Sequence, residues 1–103
     1  MTRYRNHLFT LASAPLAVLI AGSAQAASVV FGTYCASCHM IDGEGGSSAP
    51  DLTRVGATRD AQWLRDWITE PTAVDPFANM PSFGGVLNEE QLNAIVAYLA
   101  ARK

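Results

Sequence analysis

Residues 34–40 read "YCASCHM". Two small residues separate Cys35 from Cys38, and His39 follows directly. A pair of cysteines with this spacing can form a disulfide, bind zinc, act as a redox dithiol or hold a cofactor covalently. The remainder of the chain discriminates between these four uses.

Three of the four uses fit the chain poorly. A structural zinc site takes four Cys or His ligands, and after position 26 the sequence offers only Cys35, Cys38 and His39. Thioredoxin-like dithiols accompany βαβ patterns, and this sequence predicts no strands. A disulfide would leave the adjacent histidine without a role. C-x-x-C-H is the attachment signature of c-type haem, so we expect one haem c per chain, covalent through Cys35 and Cys38, with His39 on the iron.

The N-terminal part of the chain predicts an export signal. Basic residues precede an apolar run over residues 8–21, and an A-x-A pattern ending at Ala26 follows that run. The alternative is an uncleaved membrane anchor, but the run is shorter than the roughly 20 residues of a spanning helix and contains Pro15. We expect cleavage after Ala26, which leaves residues 27–103 as a single exported domain that does not span the membrane.

Size and charge limit what this domain can be. A domain of this length buries little apolar surface, and small exported domains commonly depend on disulfides, a metal or a cofactor. Residues 27–103 carry five basic and nine acidic side chains, a formal charge of −4 compared with −2 for the whole chain. This balance argues against binding to nucleic acid and favours partners that are locally basic.

The hydrophobic pattern predicts an all-α domain with long loops. A first helix is expected from Ala27 to about Ser37. The second is expected to have Thr58 as its N-cap and to stop at Pro71. Residues 40–51 and 72–85 are rich in glycine, serine or proline and read as loops.

The last helix has the clearest pattern in the chain. Asn88 and Gln91 have the spacing of a capping box. Arg102 and Lys103 are placed to interact with the negative end of the helix dipole. The apolar residues recur at helical spacing and predict one buried stripe, which consists of Leu92, Ile95, Val96 and Leu99.

The second axial ligand of the iron can be argued by elimination. No second histidine remains after position 26, and Met40 adjoins His39, so it cannot reach the opposite face. Met80 lies forty-one residues after His39, in a loop that contains prolines. We favour Met80 as the ligand, with Lys103 or an empty position as the alternatives.

Three motifs together resemble one family. "CASCH", "APDL" and "NMPSF" occur in this order, and the stretch Val29–Leu99 resembles the small class I cytochromes c of bacterial periplasms. The resemblance implies the cytochrome c fold, with three to four short helices and long loops wrapped around one covalently attached haem.

The resemblance also implies roles for individual residues. Pro50 in "APDL" is similar to the proline whose carbonyl accepts the ring N–H of the proximal histidine, here His39. Met80 is similar to the distal ligand, and Trp67 and Ile68 are expected against the distal face of the haem.

Other implied positions concern packing and charge. Phe31 and Tyr98 resemble the aromatic pair at the crossing of the first and last helices. Arg54 or Arg59 is a candidate to neutralise a haem propionate. Met40 departs from the family pattern, because members often have glycine directly after the histidine.

The function that the resemblance implies is electron transfer, not enzymatic catalysis. A His/Met-ligated haem would carry single electrons between redox partner proteins, with a dehydrogenase or reductase as donor and an oxidase or reductase as acceptor. Two alternatives stay open: a permanent cytochrome subunit of a periplasmic dehydrogenase, and a haem-based gas sensor in which Met80 is displaced.

Overall fold

The computed structural model describes residues 23–103, whose helices and short strands confirm the predicted all-α class. No helix in this part of the chain is both long and apolar enough to cross a membrane. In chain order the elements are helix α1 over residues 23–30, the π-helical turn Phe31–Cys35, strands β1 (Met40–Ile41) and β2 (Glu44–Gly45), the 3₁₀ turn Val55–Ala57, and helices α2 (Ala61–Thr69), α3 (Pro71–Val74) and α4 (Glu89–Ala100).

The predicted signal peptide is only partly covered by this description. Residues 1–22 lie outside the described residues, and the predicted cleavage point after Ala26 falls inside α1. Ala27 is buried, so the first residue of the predicted mature chain already belongs to the packed domain. Cleavage itself stays a prediction.

Helix α1 passes directly into a π-helical turn before the cysteines. The amide of Ala36 donates to the carbonyl of Phe31 at 2.9 Å, which is the i→i+5 bond of a π-helix. The amide of His39 then donates to the carbonyl of Cys35, also at 2.9 Å. The backbone through the C-x-x-C-H motif is therefore hydrogen-bonded at both ends of the motif.

Helix α4 follows its sequence prediction closely. The Asn88 side chain accepts from the Gln91 amide at 2.8 Å, and the Gln91 side chain accepts from the Asn88 amide at 2.9 Å, so the capping box is complete. The predicted apolar stripe is buried, and its members are Leu92, Ile95, Val96 and Leu99.

The predicted N-cap of α2 was wrong. Asp60, not Thr58, occupies the cap, and its carboxylate accepts the amide of Trp63 at 2.8 Å. Thr58 closes the preceding 3₁₀ turn instead. Asp60 is favoured because it stands three residues before Trp63, where its short side chain reaches an amide that has no helical partner.

The segment after α2 contains a helix that was not predicted from the sequence. Helix α2 ends at Thr69, just before Pro71 as expected, but Pro71 also begins the four-residue helix α3. Proline suits this position because the first helical residue needs no amide donor.

The glycine-rich stretch after His39 contains a small hairpin, not a plain loop. Strands β1 and β2 are antiparallel, with Met40 opposite Gly45. Asp42 and Gly43 form the turn with φ of 52° and 83°, and two such residues in succession are characteristic of a type I′ hairpin turn. The Asp-Gly pair is the sequence signal that would have predicted this turn.

The core lies where α2 packs against α4, and the 3₁₀ turn packs against α4 as well. Phe31 and Tyr98, the pair implied by the resemblance, both pack against this core. The edge-to-face ring contact in the structure joins Tyr34 and Phe83, whose centroids are 6.0 Å apart. The buried core residues are Val30, Ile41, Leu64, Ile68, Leu87, Leu92, Ile95, Val96 and Leu99.

We expect Gly56→Ala to destabilise the protein because α4 crosses Gly56 without room for a side chain. An added Cβ would lie 2.2 Å from the carbonyl oxygen of Ala100. Overpacking of this kind costs about 1–3 kcal/mol of unfolding free energy. Chemical denaturation followed by far-UV circular dichroism measures the change. Gly32→Ala is the matched control, because nothing lies within 4 Å of its added Cβ. Equal stability of the two variants would contradict the crossing geometry.

Candidate functional site

A cleft of about 1130 Å³ lies between the C-x-x-C-H segment and α2. It is large enough for a cofactor, and it brings together most residues that the sequence singled out. Cys38 is exposed and lies outside the lining. The predicted site residues that line the cleft are Cys35, His39, Pro50, Trp67, Ile68 and Met80.

The ring of His39 is held in one orientation by Pro50. Its Nδ1 lies 2.7 Å from the Pro50 carbonyl oxygen, and the resemblance had implied this hydrogen bond. Because a carbonyl only accepts, the proton lies on Nδ1 and the lone pair is on Nε2. Such a partner fixes the tautomer and the ring orientation of a metal-binding histidine.

The Pro50 carbonyl is itself fixed by backbone bonds on both sides. The amide of Ala49 donates to the carbonyl of Cys38 at 3.1 Å, and the amide of Leu52 donates to the carbonyl of Met40 at 2.8 Å. The segment that carries Pro50 is thus bonded to the residues immediately before and after His39.

Arg102 stabilises the same region through hydrogen bonds, a role that the sequence did not indicate. Its Nε donates to the carbonyl of Thr53 at 3.0 Å, its Nη1 to the hydroxyl of Tyr98 at 3.1 Å, and its Nη2 to Asp42 at 2.6 Å. Helix α4 ends at Ala100, so Arg102 lies beyond the helix and joins its end to the hairpin and the Pro50 segment. Asp42 is sixty residues away in the chain, and no local pattern could reveal the contact.

The two cysteines differ in their surroundings. Both are free thiols, Cys35 half-buried and Cys38 exposed. Burial raises the pKa of the Cys35 thiol to about 11, so it stays protonated at neutral pH. Redox-active dithiols require the opposite shift, and this disfavours a thioredoxin-like role for the pair.

Met80 is half-buried, lines the cleft and packs against the core. The residues after it are bonded to the end of α2. The Phe83 amide donates to the carbonyl of Ile68 at 3.0 Å, and the Ser82 hydroxyl donates to the carbonyl of Thr69 at 2.6 Å. The backbone that carries Met80 is therefore held in place by hydrogen bonds to α2.

A stack of side chains forms part of the cleft wall. The Trp63 and Trp67 rings are nearly parallel with centroids 5.0 Å apart, and the Arg59 guanidinium carbon lies 3.9 Å from the Trp63 ring centroid. Arg54 also lines the cleft. Neither arginine pairs with a carboxylate among residues 23–103. This wall is therefore cationic, which suits the carboxylates of a haem.

The lining residues fit a c-type haem. His39 offers the Nε2 lone pair, and Met80 offers a thioether to the same cleft. Cys35 lines the cleft and Cys38 follows it three residues later. Apolar side chains of α2 supply the remaining wall. Haem attachment at these particular residues stays a prediction.

The chain is similar to known cytochromes. The family model described as cytochrome C oxidase, cbb3-type, subunit III matches residues 22–99. Cytochrome c550 of Pseudomonas aeruginosa is 33% identical over 86 residues, which cover 82% of this chain and 54% of that relative. The chain thus spans about half the length of this relative.

We expect Met80→Ala to remove an axial ligand. Without the thioether the iron would become five-coordinate or bind water, because His39 alone remains as a strong ligand. Optical and electron paramagnetic resonance spectra of the ferric protein measure the spin state, which should change from low to high or mixed.

Met40→Ala is the matched control for this prediction. Met40 lies in β1 beside His39 and is not part of the cleft lining, so its loss should leave the spectra unchanged. Wild-type spectra for Met80→Ala would refute the assignment.

Proposed function

The chain belongs to the cytochrome c family, and from this premise we propose that it is a periplasmic one-electron carrier. In this proposal a single haem c is bound covalently through Cys35 and Cys38, with His39 and Met80 as axial ligands. The carrier exchanges electrons with redox partner proteins, receiving them from a dehydrogenase or reductase and delivering them to an oxidase or reductase. Members of the family are electron-transfer proteins, which fits a carrier that is not an enzyme.

The observation that carries the proposal is that His39 and Met80 line the same cleft. Two strong protein ligands leave no open coordination position on a haem iron, so substrates and oxygen would be excluded from the iron. When bound, the haem supplies a one-electron couple whose potential a thioether ligand raises.

The chain's own residues limit structural change during such a transfer. The Pro50 carbonyl fixes the His39 ring at 2.7 Å, and backbone bonds of Ala49 and Leu52 fix Pro50 in turn. On the other side, Phe83 and Ser82 tie the Met80 segment to α2. Ligands held in this way cannot move far when the charge on the site changes, which favours rapid exchange.

Acid–base catalysis has little support in the described residues. His39 is the only histidine after position 7, and its Nδ1 is already bonded to the Pro50 carbonyl. With Nε2 assigned to the iron, no imidazole is left to act as a general base. This leaves the proposed electron transfer without a competing role for His39.

The periplasmic location rests on the sequence. The basic, apolar and small-residue order that ends at Ala26 is typical of a cleaved signal, and haem c attachment is proposed to follow export. That attachment would convert the thiol of Cys35 to a thioether.

A permanent subunit of a larger redox complex is the second candidate. One finding favours it: the matching family model is described as subunit III of an oxidase. A periplasmic dehydrogenase or an oxidase could supply the other subunits.

The two candidates predict different behaviour in a native extract. We expect the haem-stained protein to elute from a size-exclusion column at the volume of the free chain, and to show one reversible one-electron couple in a potentiometric titration. Elution with a much larger assembly that survives high salt would favour the subunit instead. Absence of a reversible couple would contradict both.

A further inference from the structure

Phe77 is the most exposed large apolar side chain in the described part of the molecule, with 91% of its surface accessible. It lies in the segment between α3 and Met80. Val74, at the end of α3, is also exposed, at 40%, as are Pro76 and Pro81. Exposed apolar side chains that occur together mark interaction sites, whereas scattered single ones are normal.

The exposure of Phe77 comes from an ordered turn. Asp75 accepts the Phe77 amide on its carboxylate at 2.9 Å and the Ala78 amide on its carbonyl at 3.0 Å. The Asp75 amide donates to the Pro71 carbonyl at 2.9 Å. The backbone is therefore fixed so that Phe77 points away from the core, where a partner could bury it without reordering the chain.

The same segment lines the candidate site. Val74, Asp75, Asn79 and Met80 are all part of the cleft lining. A protein that covered Phe77 would contact a segment whose other side chains reach the site. Such a contact would bring the partner close to the redox centre.

The stretch of sequence that contains Phe77 is acidic. From Asp66 to Ala101 the sequence has five acidic residues and no basic one. Glu89 is paired with Arg65 at 3.7 Å, whereas Glu70 and Asp75 have no cationic partner among residues 23–103. Acidic groups beside an apolar anchor are complementary to an apolar pocket with a basic border.

We propose that Phe77 is the apolar anchor of a docking surface for a redox partner protein, with Val74 beside it and the carboxylates of Glu70 and Asp75 on its border. The partner's surface has an apolar pocket bordered by lysine or arginine. This proposal rests on the proposed function and specifies where the transient partner binds. Central aromatic anchors dominate binding in small interfaces, and a charged border mainly raises the association rate.

Reoxidation of the reduced holoprotein tests the surface. Right-side-out membrane vesicles from the organism that makes the protein serve as the oxidant, and absorbance of the haem follows the reaction. We expect Phe77→Ser to lower the second-order rate by about tenfold, the factor that corresponds to a modest anchor. The wild-type rate should fall as salt is added, because salt screens the acidic border.

Two controls separate docking from damage to the site. Val29→Ser removes another exposed apolar side chain, 64% accessible, that is not part of the cleft lining, and it should keep the wild-type rate. Oxidation by ferricyanide, a small reagent that needs no docking surface, should be the same for wild type and Phe77→Ser.

Any other outcome would contradict the proposed docking surface. Equal rates for wild type and Phe77→Ser with vesicles, or an equal loss for Val29→Ser, would refute the anchor while leaving the carrier function intact. A parallel loss with ferricyanide would show that Phe77 acts on the site itself. A rate that rises with salt would contradict a basic partner. Vesicles that fail to oxidise even the wild type would overturn the proposed carrier function together with this surface.

Discussion

The hydrogen bond from His39 Nδ1 to the Pro50 carbonyl, 2.7 Å long, is the constraint on which the site depends. It leaves Nε2 as the free lone pair and orients the ring, as a metal-binding imidazole requires. The surrounding backbone is arranged to hold this one carbonyl, through the bonds of Ala49 to Cys38 and of Leu52 to Met40. Arg102 then joins this region to the end of α4. A short attachment motif is thus tied to the last helix of the domain.

In this small domain, the same helices form the hydrophobic core and the wall of the candidate site. Leu64 and Ile68 of α2 are buried against the core and also line the cleft, and Leu99 of α4 does both as well. Helix packing and the shape of the site are therefore not independent. Because a cofactor in the cleft would cover apolar surface of these helices, its binding would add to the free energy of folding. A bound cofactor would thus compensate for the small apolar core expected of a domain of this length.

The parts of the fold that the sequence predicted are those encoded locally. The capping box of Asn88 and the buried stripe of α4 are determined by residues within a few positions of one another, and both were correct. The N-cap of α2 was wrong because Thr58 and Asp60 are both good caps, and only the position of the Trp63 amide decides between them. The hairpin at Asp42 was missed although its signal is local, because the glycine-rich stretch was predicted to be a loop. The role of Arg102 could not be predicted, since its partners come together only in the folded chain.

In the proposed site, His39 and Met80 together fill the two axial positions of a haem in this cleft. The most direct measurement is the optical spectrum of the dithionite-reduced holoprotein before and after addition of carbon monoxide. We expect the haem bands to stay unchanged, because both axial positions would be filled by ligands on segments bonded to the rest of the fold. Ready binding of carbon monoxide would contradict it, because that result would mean that Met80 is absent from the iron or easily displaced, as in a gas sensor.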